Sequence, residues 1–186
     1  MSFKTRLAWR ARQVRSPEYT AFTAWLRHRG SLTARLQARG TFAVHLLRQG
    51  LAMPTLDEAI SLGIKHNQLA WIREVALLCD GQPVVFAHTV LPYRPRGALT
   101  RWFARLGSRS LGAVLFSHHG FSRGALKSKR IDYRHALFGP AIAAMQLETA
   151  APPTLWARRS LFVFRSQSVL VSEVFSPVLG DEPARR

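Results

Sequence analysis

In each of two largely apolar, strand-like stretches of this chain, one face carries a single charge. Within Leu69–Cys79 it is Arg73, which by alternation shares a face with Trp71, Val75 and Leu77. Within Val169–Phe175 it is Glu173, which shares a face with Val171 and Phe175. Side chains of a strand alternate between faces, so both charges point with these neighbours toward the interior. A charge is rarely buried without a partner. A guanidinium fork suits a carboxylate through two parallel hydrogen bonds, and a carboxylate in apolar surroundings can hold a hydroxyl. Three outcomes stay open: Arg73 pairs with Glu173, both side chains snorkel at a sheet margin, or both grip a small polar ligand. Glu74, on the opposite face of the first stretch, shows that facial purity alone does not decide among them.

Other chemistries find less support. His118 and His119 are adjacent, so their rings point apart in regular structure, and His45, His66, His88 and His135 show no ligand spacing such as HExxH. The lone Cys79 excludes an intramolecular disulfide and a cysteine-based zinc site, and reads as a small core hydrophobe. No GxSxG and no Ser/His/Asp set can be assembled. Only ten acids are present and most fall in loops, so a glycosidase-like carboxylate pair is not supported. The expectation is a site without a metal.

The elements that must carry the two charges are legible as patterns. Ser16-Pro17-Glu18 opens a helix through Phe22, Trp25 and Leu26 that stops before Gly30, and Ser31 caps a short helix that Gly40 ends. Phe42–Gly50 alternates as a strand. Met53–Asn67, interrupted by Pro54 and Gly63, reads as a loop with a short helical turn. Ala70–Cys79 and Val84–Leu91 flank Asp80-Gly81, a dipeptide suited to the positive φ of a tight hairpin. Leu99, Trp102, Phe103 and Leu106 form a helical stripe, and Ser110 can cap a short segment Leu111–Phe116. A basic stretch Arg123–Arg130 precedes a helical run Gly139–Leu147. A last hairpin, Leu155–Phe164 and Val169–Phe175, turns around Ser166-Gln167-Ser168. About five strands joined as hairpins, with helices between them, indicate α+β: a single antiparallel sheet with helices packed on it. Nothing resembles a Rossmann or P-loop phosphate site.

At 186 residues and 47% hydrophobic content the chain is one domain that can bury a core without staples. The segments 1–15 and 178–186 are expected to fray. No run approaches the length of a membrane helix and the basic N-terminus lacks an apolar signal core, so the expectation is a cytoplasmic monomer. The formal charge of +17 favours anionic partners or reflects arginine-rich codon usage on solvated faces. No nucleic-acid-binding motif accompanies it.

Several blocks, in order, resemble the chorismate pyruvate-lyase family: Ser31-Leu-Thr-Ala-Arg-Leu, the strand Phe42–Gly50, Trp71-Ile-Arg-Glu-Val, Cys79-Asp-Gly-Gln-Pro, Thr89-Val-Leu-Pro92, Ser110-Leu-Gly-Ala-Val-Leu-Phe116, Leu155-Trp-Ala-Arg-Arg-Ser160 and Ser172-Glu-Val-Phe-Ser-Pro177. No block is diagnostic alone, but the ordered set spans nearly the whole chain. The resemblance implies one domain over 1–186 with an internal ligand cavity beneath helical flaps. It implies a cofactor-free lyase converting chorismate to 4-hydroxybenzoate and pyruvate, the first step of ubiquinone biosynthesis. It further implies that Arg73 and the main-chain amides of Leu32 and Leu111 hold the aromatic carboxylate, while Glu173 meets the 4-hydroxyl. These are the two charges that alternation singled out.

Two departures stand out. Position 32 is Leu where the family pattern has Met, which an amide contact tolerates. The stretch 131–153 is longer than in compact members, and no functional residue is carried across it. Two rivals remain. One is a non-catalytic effector-binding domain of the same fold; such domains normally follow a winged helix, for which the thirty-odd residues before Ser31 leave no room. The other is a basic nucleic-acid-binding module, whereas the lyase predicts no nucleic-acid partner. If the positive charge steers dianionic chorismate inward, the rate constant for substrate capture falls as ionic strength rises in stopped-flow measurements; an unchanged rate constant excludes steering.

Overall fold

The computed structural model describes residues 9–11, 16–94, 98–107, 109–112 and 120–180. The expected segment Leu111–Phe116, apart from its first two residues, and most of the expected frayed ends lie outside this set. In chain order the helices are α1 (Pro17–Leu26), α2 (Leu32–Gln37), α3 (Leu56–Leu62), α4 (Ala98–Ala104) and α5 (Phe138–Ala144). The strands are β1 (Phe42–Ala52), β2 (Ala70–Cys79), β3 (Gln82–Pro92), β4 (Phe121–Arg123), β5 (Lys127–Ile131), β6 (Leu155–Phe164) and β7 (Gln167–Phe175).

Every described strand belongs to one antiparallel sheet in the order β1-β2-β3-β7-β6, with β4 and β5 following one another along the outer edge of β6. The β2–β3 hairpin closes on Asp80 (φ 50°) and Gly81 (φ 79°), the paired positive φ values of a type I′ turn. The β6–β7 turn is tighter than the sequence suggests. Arg165 takes φ 52° beside Ser166, and Gln167 already pairs with Phe164, so the centre is Arg165-Ser166 rather than Ser166-Gln167-Ser168. The basic stretch Arg123–Arg130 supplies the end of β4 and most of β5, bringing the described strands to seven where about five were expected. Its alternation was hidden because charged side chains occupy both faces.

Helix α3 replaces the expected loop over much of Met53–Asn67. Thr55 and Glu58 form a capping box, with the Thr55 Oγ1 accepting from the Glu58 N–H and Glu58 Oε2 accepting from the Thr55 N–H. Gly63 ends the helix in the left-handed region at φ 65°. The sequence signal, Thr-x-x-Glu, was present.

The sheet is covered on both faces. On one, α1 and α2 bury Tyr19, Phe22, Trp25, Leu26, Leu32 and Leu36 against Val75, Val85, Trp156 and Phe175. On the same face, α4 and the chain after it bury Leu99, Phe103, Leu106 and Leu111 against Leu91, Phe162 and Val169. Each such side chain contributes roughly 1.5–3 kcal/mol on leaving water. The reverse face packs on Trp9, Ile131, Leu137 and α5, and it also carries buried ions. There His88 of β3 lies 3.0 Å from Glu74 Oε1 through Nδ1. Its Nε2 is 3.0 Å from Glu58 Oε1, an ion pair without hydrogen-bond alignment. Burial alone lowers the His88 pKa, but the two carboxylates outweigh it and raise the value from 6.5 to about 9.

Because the folded pKa lies above the unfolded one, this clamp stabilises fully below about pH 6.5 and is lost as pH rises through about 9. Urea midpoints are therefore expected to fall between pH 7 and 10. His88→Gln is expected to flatten that dependence and to cost about 3–5 kcal/mol at neutral pH, since two buried carboxylates lose their counter-ion.

Candidate active site

The two clusters on the helix-covered face leave an uncovered patch of sheet between them. A cavity occupies it, with about 540 Å³ of empty space including its mouth. Arg73, Val75, Leu77, Ala87, Thr89, Val171, Glu173 and Phe162 form its floor, and Leu32, Thr33, Ser110, Leu111 and Gly112 form its roof. All four residues singled out above, Leu32, Arg73, Leu111 and Glu173, line this one space.

Arg73 and Glu173 reach it from strands separated by β3. Arg73 faces Thr89, and Glu173 faces Ala87 two residues along, so their Cα atoms lie about 12 Å apart by strand spacing and rise. They do not pair with each other. Glu173 Oε2 accepts from Arg158 Nε at 2.5 Å, from the residue directly opposite on β6. Arg158 is fully buried, and its Nη1 donates to the carbonyls of Trp25 (2.6 Å) and His28 (2.9 Å) at the end of α1. This ion pair occupies one carboxylate oxygen and fixes the rotamer of Glu173, while Glu173 still borders the cavity.

Arg73 is only 2% exposed, and among the described residues no carboxylate pairs with it. Its Nη2 donates to the carbonyls of Gly107 (2.7 Å) and Arg109 (3.0 Å), whereas Nε has no partner. Burial without a counter-charge pulls its pKa down to about 10, which leaves it a cation at neutral pH. Gly107, one of the two residues whose carbonyls receive it, adopts φ 55°.

The roof joins the first turn of α2 to the segment at Ser110. Leu32 is the first residue of α2, so its N–H has no acceptor within the helix. Leu111 follows Ser110, whose Oγ lies 2.6 Å from Thr33 Oγ1 and ties the two roof segments together. The approach is close: a Cβ on Gly112 would stand 3.0 Å from Thr33 Oγ1.

Two further residues belong to the site. Arg158 stands in alternation with Trp156, Ser160 and Phe162, so the reasoning that found Arg73 would have found it too. Arg123 also lines the cavity; its Nε donates to Ser160 Oγ (2.9 Å) and its Nη1 to the Arg29 carbonyl (2.8 Å). Burial lowers its pKa to about 10, with Glu173 opposing the shift. No pattern in a three-residue strand could reveal it, because only the pairing of β4 with β6 aims it inward. Among the described residues no cluster of His, Cys, Asp or Glu is gathered to hold a metal, and no helix is long and apolar enough to cross a membrane.

The sequence model of the family described as chorismate lyase matches residues 4–181. The chain belongs to the chorismate lyase family. It is 46% identical over 175 residues to a probable chorismate pyruvate-lyase of Dechloromonas aromatica, covering 94% of this chain and 97% of the relative. A relative of the same description from Aromatoleum aromaticum is 45% identical over 179 residues, covering 94% and 95% respectively. Among solved structures, PhnF from Mycobacterium smegmatis superposes with a TM-score of 0.56 at 17% identity, over 82% of this chain and 66% of that one. The effector domain of PhnF gives 0.53 at 16% identity, over 80% and 90%. These likenesses establish a shared fold, and the lyase family the lineage.

The ion pair that orients Glu173 predicts a separable defect. Arg158→Met is expected to cost about 3–5 kcal/mol of unfolding free energy, as when a buried pair loses one member. Urea unfolding measures it, and a change below about 1 kcal/mol would mean that the pair carries no structural weight.

Proposed function

We propose that this protein is a chorismate pyruvate-lyase, converting chorismate to 4-hydroxybenzoate and pyruvate in the cavity between Arg73 and Glu173. The observation that carries the reading is Arg73: a buried cation bordering an empty space, with no carboxylate of its own chain beside it. Such a group is costly unless an anion completes it, and membership of the family supplies a carboxylate-bearing ring of suitable length.

Arg73 and the amides of Leu32 and Leu111 hold the ring carboxylate, and the free oxygen of Glu173 accepts the 4-hydroxyl. Chorismate carries a second carboxylate on its enolpyruvyl arm, and Arg123, on the Glu173 side of the cavity, holds that one. The reaction then balances without a nucleophile. The C3–O bond breaks and its electron pair becomes the carbonyl of pyruvate. The hydrogen at C4 passes to the enolpyruvyl methylene, and the ring gains its last double bond. Aromatisation provides the driving force, so the residues contribute orientation in an enclosed site.

Incubation of the pure protein with chorismate, without added metal or nucleotide, is expected to yield equimolar 4-hydroxybenzoate and pyruvate. Arg73→Ala is expected to lose roughly 2–5 kcal/mol of 4-hydroxybenzoate affinity, and Glu173→Gln to fold normally while turning over more slowly. Product binding without turnover would favour an effector-binding role, and near-normal affinity in Arg73→Ala would overturn the site.

A further inference from the structure

The reverse face of the sheet contains a second cavity, of about 780 Å³ with its mouth, that the lyase reaction does not use. Its polar lining is unbalanced toward donors. Lys129 of β5 is 8% exposed, and among the described residues its ammonium has no hydrogen bond and no ion pair. Its Nζ lies 5.8 Å from the centre of the Trp9 ring. Ser172 of β7 is 2% exposed, and its hydroxyl likewise has no partner among the described residues. His135 Nδ1 accepts from the Leu137 N–H at 3.2 Å, so in the neutral ring the proton sits on Nε2, where it meets no acceptor. Burial, reinforced by the nearby Lys129 charge, lowers the His135 pKa to about 4 and keeps that ring neutral.

The acceptors in the same cavity are already committed. Asp57 binds Arg159 through both oxygens, at 2.5 and 3.3 Å, and receives the Trp9 indole N–H at 3.1 Å. Glu58 is taken up by His88 and by its own helix cap. At the mouth, Arg134 is paired with Asp132. What is left over is an ammonium, a hydroxyl and an imidazole N–H lining one cavity, the donor set for an oxyanion.

We infer that this reverse-face cavity is a binding site for a small oxyanion, a carboxylate or a phosphate, held by Lys129 with Ser172 and His135. His135 lies in the 131–153 stretch that the sequence sets apart as longer than in compact family members, so that segment supplies one wall of the site. Arg159 and Ser172 face one another across β6 and β7, each one residue from the Arg158–Glu173 pair on the catalytic face. Alternation puts the two sites back to back on the same two strands.

Calorimetric titration uses the full chain carrying Arg73→Ala, which weakens anion binding in the other cavity; because Arg123 remains there, only binding that depends on Lys129 or Ser172 is assigned to this site. The probes are inorganic phosphate in one arm and pyruvate in the other, and the arm that saturates identifies the anion class. Saturable binding that weakens about tenfold or more when Lys129→Met is added is expected, the size of losing one charge-assisted hydrogen bond. Replacing an unpaired buried cation by an apolar chain of similar length should not impair folding. Should that variant nevertheless misfold, Ser172→Ala reads the same weakening. Should Arg73→Ala misfold, the wild-type chain saturated with 4-hydroxybenzoate takes its place. No saturable binding of either anion, or binding indifferent to both Lys129→Met and Ser172→Ala, overturns the inference. Binding is the readout throughout, so the result stands whether or not the protein turns over chorismate.

Discussion

A guanidinium enclosed by protein but left without a carboxylate is the constraint around which the catalytic side is arranged. Arg73 could have been neutralised by Glu173, yet β3 stands between their strands and holds them about two strand spacings apart. The cost of burying the cation is reduced, not removed, by the Gly107 and Arg109 carbonyls. Those acceptors exist because Gly107 adopts a conformation that a side chain would strain, although open space surrounds it. Ser110, close by in the chain, ties to Thr33 at the start of α2. One buried charge thus links the floor of the cavity to the chain that roofs it.

Glu173 illustrates the opposite solution. Its ion pair with Arg158 satisfies one oxygen, and Arg158 in turn holds the carbonyls that end α1. A removal of either member would leave a buried charge alone, at about 3–5 kcal/mol, a large share of the stability of an ordinary domain. In the proposed reaction, that same rigidity holds the remaining oxygen ready for the 4-hydroxyl. Preorganisation matters most when the reaction needs only a substrate held in one conformation.

The sheet separates two kinds of buried charge. On the catalytic face the cations border an empty cavity. On the reverse face His88 is clamped between Glu58 and Glu74, and Arg159 is bound by Asp57. Strand alternation puts neighbours in sequence, such as Arg158 and Arg159 or Arg73 and Glu74, into these different environments. Lys129 is the reverse-face cation that no acid claims among the described residues.

Much of this was readable without coordinates. Alternation with period two fixed which residues accompany Arg73 and Glu173, Asp80-Gly81 marked its hairpin, and Ser16 and Ser31 marked two helix starts, because each signal is confined to a few consecutive residues. Helix α3 was also marked, by Thr55 and Glu58, but Pro54 and Gly63 obscured it. The β4 and β5 strands carried no legible alternation. What the tertiary structure alone decided is pairing: that β3 keeps Arg73 from Glu173, that Arg158 takes the carboxylate, that Arg123 turns into the same cavity, and that Lys129 is left without an acid. Local geometry determines which way a side chain points, but its partner depends on which strands become neighbours, and that is settled by burial over the whole sheet.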